Sequence, residues 1–260
     1  MNIIVCIKQV PDTTEVKIDP KTGTLIRDGI PSIINPDDKA GLETALKLKD
    51  ELGAKVTVLT MGPPQADKAL KEALAMGADE GILLSDRAFA GADTWATSLT
   101  IASAIKNMEF DLIVAGRQAI DGDTAQVGPQ IAEHLGLPLV SYVDDLKKQD
   151  DKLILKRVFE DGYHMIEAKM PCVITTLSEN IKPRYMQIAG IYDAYREKEI
   201  KHLSLKDLDL DPVQIGLKGS PTKVKKSFTK GAKQAGKVYD VPVNEAVEII
   251  VEKLQEKYYL

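Results

Sequence analysis

Residues 116–130 read Gly-Arg-Gln-Ala-Ile-Asp-Gly-Asp-Thr-Ala-Gln-Val-Gly-Pro-Gln, a composition suited to binding phosphate through the backbone. The apolar run at 111–115 ahead of it reads as a buried parallel strand, and Gly116 and Gly122 allow main chain to approach a ligand closely. Asp123 or Thr124 can start a helix, which would leave the N–H groups of Thr124, Ala125 and Gln126 pointing at negative charge. The segment carries neither a Walker lysine nor a G-x-G-x-x-G pattern, so the standard ATPase and dinucleotide fingerprints are missing. An ordinary N-cap and an anion cradle both fit these residues. Asp121 and Asp123 would repel a diphosphate unless their carboxylates turn to backbone N–H groups or to a cation, and capping or ribose hydrogen bonds are favoured over a metal.

A second loop, 91–97, reads Gly-Ala-Asp-Thr-Trp-Ala-Thr, with Asp93 at a cap position and Thr94 and Thr97 in the first turn beyond it. It too is either a plain N-cap or a second helix terminus converging on the same phosphate. Asn35, before Pro36, either caps its helix or hydrogen-bonds a base or ribose. Cys6, Met61 and Ala119 are apolar candidates for the wall of an adenine pocket and equally for plain core. Trp95 reads as packing below its loop ahead of approaching a flavin ring. His134, His164 and His202 lack ligand spacing and read as structural.

The elements that must position these residues alternate. Strands at 3–7, 56–60, 81–84 and 112–115 are separated by helical patterns at 35–52, 66–76 and 94–107, with a hairpin at 16–26 turning on Lys-Thr-Gly. This predicts a Rossmann-like α/β fold, a parallel sheet with helices on both faces, whose ligands lie beyond the carboxyl ends of the strands where strand order reverses. After Pro138 four further strand patterns, 139–143, 153–159, 164–168 and 172–176, predict a smaller mixed addition, and 188–195 a short helix. Residues 212–239 hold seven lysines (Lys218, Lys223, Lys225, Lys226, Lys230, Lys233 and Lys237) and no acid, and read as an extended basic arm. Residues 215–222 punctuate the arm with apolar and turn-forming types, which suggests docking. A helix at 243–259 with Ala246, Val247, Ile250, Val251 and Leu254 on one face ends the chain. The expected division is a nucleotide-binding domain at 1–211 and a C-terminal arm and helix at 212–260.

The chain of 260 residues is 44% hydrophobic with a net charge of −5, an ordinary globule's balance that argues against a general nucleic-acid binder. Two cysteines without a C-x-x-C pair suit a reducing compartment, and no apolar stretch reaches the roughly 20 residues of a membrane helix. With no basic leader pattern at the start, the expectation is a cytoplasmic protein without membrane insertion.

Residues 116–138 as a whole resemble the nucleotide-binding motif of the small (beta) subunit of electron transfer flavoproteins. The resemblance extends in order through Val5–Pro11, Thr22-Gly23, Ile34–Pro36, 73–79, 91–97, 160–163, 171–175 and 182–185, nearly the whole chain. It implies that Ala119, Asp121, Gly122, Thr124, Gln126 and Val127 form the nucleotide loop, with the Thr124 hydroxyl and backbone N–H groups on phosphate. It also implies a heterodimer with a larger alpha subunit around which the arm wraps, and electron transfer involving a flavin-containing dehydrogenase such as an acyl-CoA dehydrogenase. Two versions are open: FAD in this subunit, reduced by NADH and feeding ferredoxin and the dehydrogenase by bifurcation, or a structural AMP in an ordinary carrier. The wording at 91–97, 121–127 and 215–221 resembles anaerobe-type members more than mitochondrial ones, which favours the first. A stand-alone nucleotide-binding sensor is a rival that the long arm argues against. An ATP-activating enzyme is disfavoured by Gln9-Val-Pro-Asp12 standing where a Ser-Gly-Gly-x-Asp-Ser loop would be.

Overall fold

Apolar β-branched runs bounded by glycine or proline make the central strands, and two of them, Leu112–Gly116 and Cys172–Thr176, are buried at every position, as strands covered on both faces must be. The computed structural model describes residues 1–12, 31–225 and 236–260, together with the backbone of 17–18 and 25–26. In chain order the elements are β1 (Asn2–Cys6), β2 (Gln9–Pro11), β3 (Lys17–Ile18), β4 (Leu25–Ile26), β5 (Ser32–Ile34), α1 (Pro36–Leu52), β6 (Lys55–Met61), α2 (Asp67–Met76), β7 (Glu80–Leu84), α3 (Thr94–Lys106) and β8 (Leu112–Gly116). They continue with α4 (Val127–Leu135), β9 (Leu139–Gln149), β10 (Lys152–Phe159), β11 (Gly162–Lys169), β12 (Cys172–Thr176), α5 (Ile188–Arg196), β13 (Ile200–Leu203), the single turn α6 (Gly216–Gly219) and α7 (Val243–Glu256).

Nine strands form one sheet in the order β11-β10-β9-β12-β8-β1-β6-β7-β13. From β9 to β13 every neighbouring pair is parallel, and β10 and β11 add an antiparallel edge. The α/β architecture and the mixed addition after Pro138 are therefore as the residue pattern predicts, whereas the edge strand β13 was not foreseen. The chain enters at β1, builds outward through β6 and β7, then crosses back to lay β8 on the other side of β1. Strand order thus reverses between β1 and β8, the point beyond whose carboxyl ends open α/β sheets take their ligands in a crevice. The expected hairpin pairs Lys17 with Ile26 and Ile18 with Leu25, while its turn at 21–23 lies outside the described residues.

Two apolar layers fill the space between sheet and helices. Leu42, Leu46, Leu70 and Leu74 of α1 and α2 pack on Val5, Val58 and Val114 on one face. Ile101 and Ile105 of α3 and Ile131 of α4 pack on Ile4, Leu59 and Ile113 on the other. Each such buried side chain contributes about 1.5–3 kcal/mol over its exposed state, which is what holds the helix starts against the strand ends. The chain divides into two compact units, Met1–Lys225 and Lys226–Leu260, so residues 212–225 belong with the sheet rather than with an extended arm. In the second unit, α7 leaves Val247 and Ile250 more than half exposed and buries none of its residues. No helix among the described residues is long and apolar enough to cross a membrane.

Candidate functional site

Asp38, in the first turn of α1, ties together the two strand ends that flank the reversal point. Its carboxylate accepts the Lys8 N–H just after β1 at 2.7 Å and the Gly116 N–H at the end of β8 at 3.1 Å. A side chain at 116 would collide with this carboxylate and with the backbone of Asp37 and Asp38, which is why the strand must end in glycine. Burial pushes the Asp38 carboxyl up to about 7, against hydrogen bonds from Asn35, Lys8 and Gly116 that pull it down, and the neighbouring Asp37 adds to the rise. Asp37 is buried too, accepting the Ser178 N–H and hydroxyl at 3.1 and 2.7 Å, with Arg117 Nε 3.3 Å away. Two carboxylates thus occupy the first turn of α1 and close that helix terminus to an incoming anion.

The loop beyond Gly116 is held by side chains that follow β1 and precede α1. Fully buried Asn35 donates its amide N–H to the Gln118 carbonyl at 2.8 Å and accepts the Ile120 N–H at 3.0 Å. It makes no side-chain cap on α1, so its amide shapes the loop. Lys8 Nζ lies 2.7 Å from Asp121, whose side chain is only 6% exposed, so the acid that would oppose a phosphate is already paired with a cation. The Asp123 carboxylate takes the Gln118 amide at 3.1 Å. Neither acid caps the helix, contrary to the expectation from composition.

Helix α4 also starts later than the sequence predicts, at Val127 with Gln126 as its cap residue and no side-chain cap bond. Asp123 and Ala125 have φ of 50° and 52°, left-handed backbone that no right-handed helix contains. With Gln126 at φ −109°, alternation of sign turns successive N–H groups toward one concave side, the geometry of an anion nest. Among the described residues the N–H groups of Thr124, Ala125, Gln126, Val127 and Gly128 meet no acceptor. The cradle is therefore the loop itself leading into α4, with Gly122, Asp123 and Thr124 exposed at its rim.

The second loop behaves differently. Asp93 caps α3, accepting the Ala96 N–H at 3.1 Å, and its other oxygen takes the Thr222 N–H and hydroxyl at 2.9 and 2.7 Å. Burial works against this charge, but the hydrogen bonds from Ala96, Thr222 and Trp95 hold the carboxyl below its ordinary range. The start of α3 and the loop before α4 meet, since Thr94 Oγ1 donates to Gln126 Oε1 at 2.9 Å. With Asp93 taking the Ala96 N–H, α3 presents the hydroxyls of Thr94 and the half-buried Thr97 beside a terminus already capped. Cys6 and Met61 share the apolar cluster between the sheet and these two helices, and Ala119 turns the loop by accepting the Gly122 and Asp123 N–H groups with its carbonyl. Burial, with the Asp38 charge, pushes the Cys6 thiol up to about 12, which leaves it a wall and no nucleophile. Trp95 packs edge-on against His134 at 4.6 Å, and His134 in turn meets Ser98 Oγ at 3.1 Å, structural roles for both.

Lys8, Asp37 and Asp38 were not singled out from the sequence. Their one signal was position: a lysine directly after an apolar strand and two acids in the first turn of a helix otherwise buried.

An N–H cradle at the reversal point of a parallel sheet, beside hydroxyls and an apolar wall, marks an α/β protein with a candidate anion site where such sheets take their ligands. Residues 22–208 match the electron transfer flavoprotein domain. The chain is 59% identical over 260 residues to electron transfer flavoprotein subunit beta of Clostridium acetobutylicum, covering 100% of both chains. It is 56% identical to the caffeyl-CoA reductase-Etf complex subunit CarD of Acetobacterium woodii and 50% identical to the acryloyl-CoA reductase electron transfer subunit gamma of Anaerotignum propionicum, again over 100% of each. This chain belongs to the electron transfer flavoprotein family, among its beta subunits.

Proposed function

We propose that this protein holds FAD in the cradle of residues 116–128, paired with a larger alpha subunit, and takes part in flavin-based bifurcation from NADH to ferredoxin and to a partner dehydrogenase. The observation that supports the reading is the run of N–H groups from Thr124 to Gly128 that meet no acceptor among the described residues, as a phosphate-binding loop requires. Relatives whose names place them in caffeyl-CoA and acryloyl-CoA reductase assemblies favour a dehydrogenase partner acting on a CoA thioester. When bound, the flavin supplies the redox chemistry, accepting a hydride equivalent and releasing electrons singly.

The chain's own residues bind and orient. Backbone N–H groups and the Thr94, Thr97 and Thr124 hydroxyls take the phosphates, Cys6 and Met61 line the adenine side, and Lys8 keeps Asp121 from repelling the ligand. No side chain here need exchange a proton with substrate. The apolar residues that α7 leaves exposed, Val247 and Ile250, and the lysines ahead of it fit a segment that docks on the alpha subunit. Two free, buried cysteines suit a reducing cytoplasm.

The test is the nucleotide content of the chain co-purified with its alpha subunit, by chromatography and flavin spectrum, with NADH reduction followed. About two FAD per heterodimer, reduced by NADH, is the expected result. One FAD with one AMP would assign an ordinary carrier, and a complex without nucleotide would overturn both readings.

A further inference from the structure

Residues 215–222 return to the start of α3 and fasten there. Ile215 is buried in the α3/α4 core cluster, and the Leu217 N–H donates to the Ala90 carbonyl at 3.1 Å. Gly216, at φ 57°, lies where a Cβ would collide with the Ala88 carbonyl, so this crossing is as close as backbone allows. The Asp93 N–H donates to Ser220 Oγ at 2.8 Å, Ser220 Oγ donates to the Gly216 carbonyl at 2.7 Å, and Thr222 gives Asp93 two hydrogen bonds. One residue later, Thr94 makes its bond to Gln126 of the nucleotide loop. Asp93 therefore stands between two segments distant in sequence, the cradle at 116–128 before it and the root of the C-terminal segment at 215–222 behind it.

We infer that Asp93 is a positioning residue linking the nucleotide cradle to the exit of the C-terminal segment, so that ligand in the cradle and the setting of residues 215–222 stabilise one another. The physical route is short. A ligand that engages the Thr94 hydroxyl must reposition or fix the first turn of α3. Because Asp93 caps that turn and holds Thr222 through the same carboxylate, the clip moves or tightens with it. Coupling is reciprocal, so whatever grips the chain beyond Lys225 biases the cradle in return. The inference rests on the proposed nucleotide site.

Hydrogen exchange on the full chain, with and without FAD and then AMP, tests it. The expected result is slower exchange in 118–130 together with at least about fivefold slowing in 215–222, at the low end of couplings between sites. Thr222 is exposed, so Thr222→Val spares the fold; it should keep the response of 118–130 and lose that of 215–222, with Thr222→Ser restoring it. A wild-type clip that ignores ligand while 118–130 is protected, or a Val variant that still responds, overturns the link alone. Protection nowhere with either nucleotide overturns the cradle and the link together.

Discussion

The chain uses Asp-Thr twice at the approach to a helix on the same side of the sheet, at Asp93-Thr94 and Asp123-Thr124, and the two pairs do opposite things. Asp93 has an extended backbone, φ −79°, and its carboxylate folds onto the Ala96 N–H, so α3 begins at the next residue. Asp123 has φ 50°, its carboxylate goes to Gln118, and α4 waits until Val127. The difference lies in the neighbours. Ser220 and Thr222 hold Asp93 in capping geometry from behind, whereas Asn35, Lys8 and Asp38 draw the 116–121 segment toward β1 and leave Asp123 to turn the chain. A residue type that satisfies a helix terminus in one place leaves the terminus open in another.

The largest effect is expected where the open region is anchored. Gly116→Ala places a Cβ into the Asp38 carboxylate and the α1 backbone, so urea denaturation should show a loss of more than about 3 kcal/mol. A cost below about 1 kcal/mol would mean that β8 and α1 are not locked and that the cradle has no fixed base. Next is the proton on Asp38. Its folded pKa of about 7 stands above the ordinary 3.8, so the folded state holds the proton more tightly and stability falls as pH rises through that window. Between pH 5 and pH 8 the loss is about 2–3 kcal/mol at roughly 1.4 kcal/mol per unit. Asp38→Asn should flatten this slope, measured as the wild-type-minus-variant difference across pH. A difference that does not vary with pH would show that the carboxylate is stabilised as an anion by its N–H partners.

The two Asp-Thr pairs can then be compared directly. Asp93→Ala removes a cap and two clip bonds and should cost about 1–2 kcal/mol, while Asp123→Ala should stay within about 0.5 kcal/mol. Equal costs in thermal or urea unfolding would erase the distinction drawn between the two termini. Asp93 also carries an acid-side signature: with its carboxyl held below the ordinary range, its contribution is present above about pH 4 and is lost as pH falls below that.

The sequence made the alternation of strands and helices legible because the runs at 56–60 and 112–115 are unbroken and apolar, and Gly53 follows α1 as a helix end should. It also made 116–126 legible as a turn between a buried strand and a helix. It could not show that Asn35 spends its amide on Gln118 and Ile120, since those partners lie more than 80 residues away. Asp38 escaped notice for the same reason: an acid in the first turn of a helix normally reads as a favourable dipole contact, and its burial depends on strands joined only in the fold. Residues 215–222 read as arm because lysines dominate the composition around them, while the anchors are Ile215, Ser220 and Thr222, ordinary residue types whose meaning comes from Asp93.

The finest test of the open terminus concerns Ala125, which has no side-chain reason to adopt φ 52°. Left-handed backbone costs an L-residue with a Cβ about 1–2 kcal/mol, whereas glycine tolerates it but loses roughly 0.5–1 kcal/mol more conformational freedom on folding. Ala125→Gly should therefore raise stability by a few tenths to about 1 kcal/mol while weakening nucleotide binding, because glycine at 125 releases the N–H groups of the nest from a fixed direction. Calorimetric melting and FAD titration on the same preparation read the two effects. A gain in stability with unchanged affinity would mean the strain at 125 is incidental, and a loss of both would mean the Ala125 methyl itself packs in the site. Opposite signs would show that the strain is spent in keeping the α4 terminus open, which Asp93 at α3 forgoes.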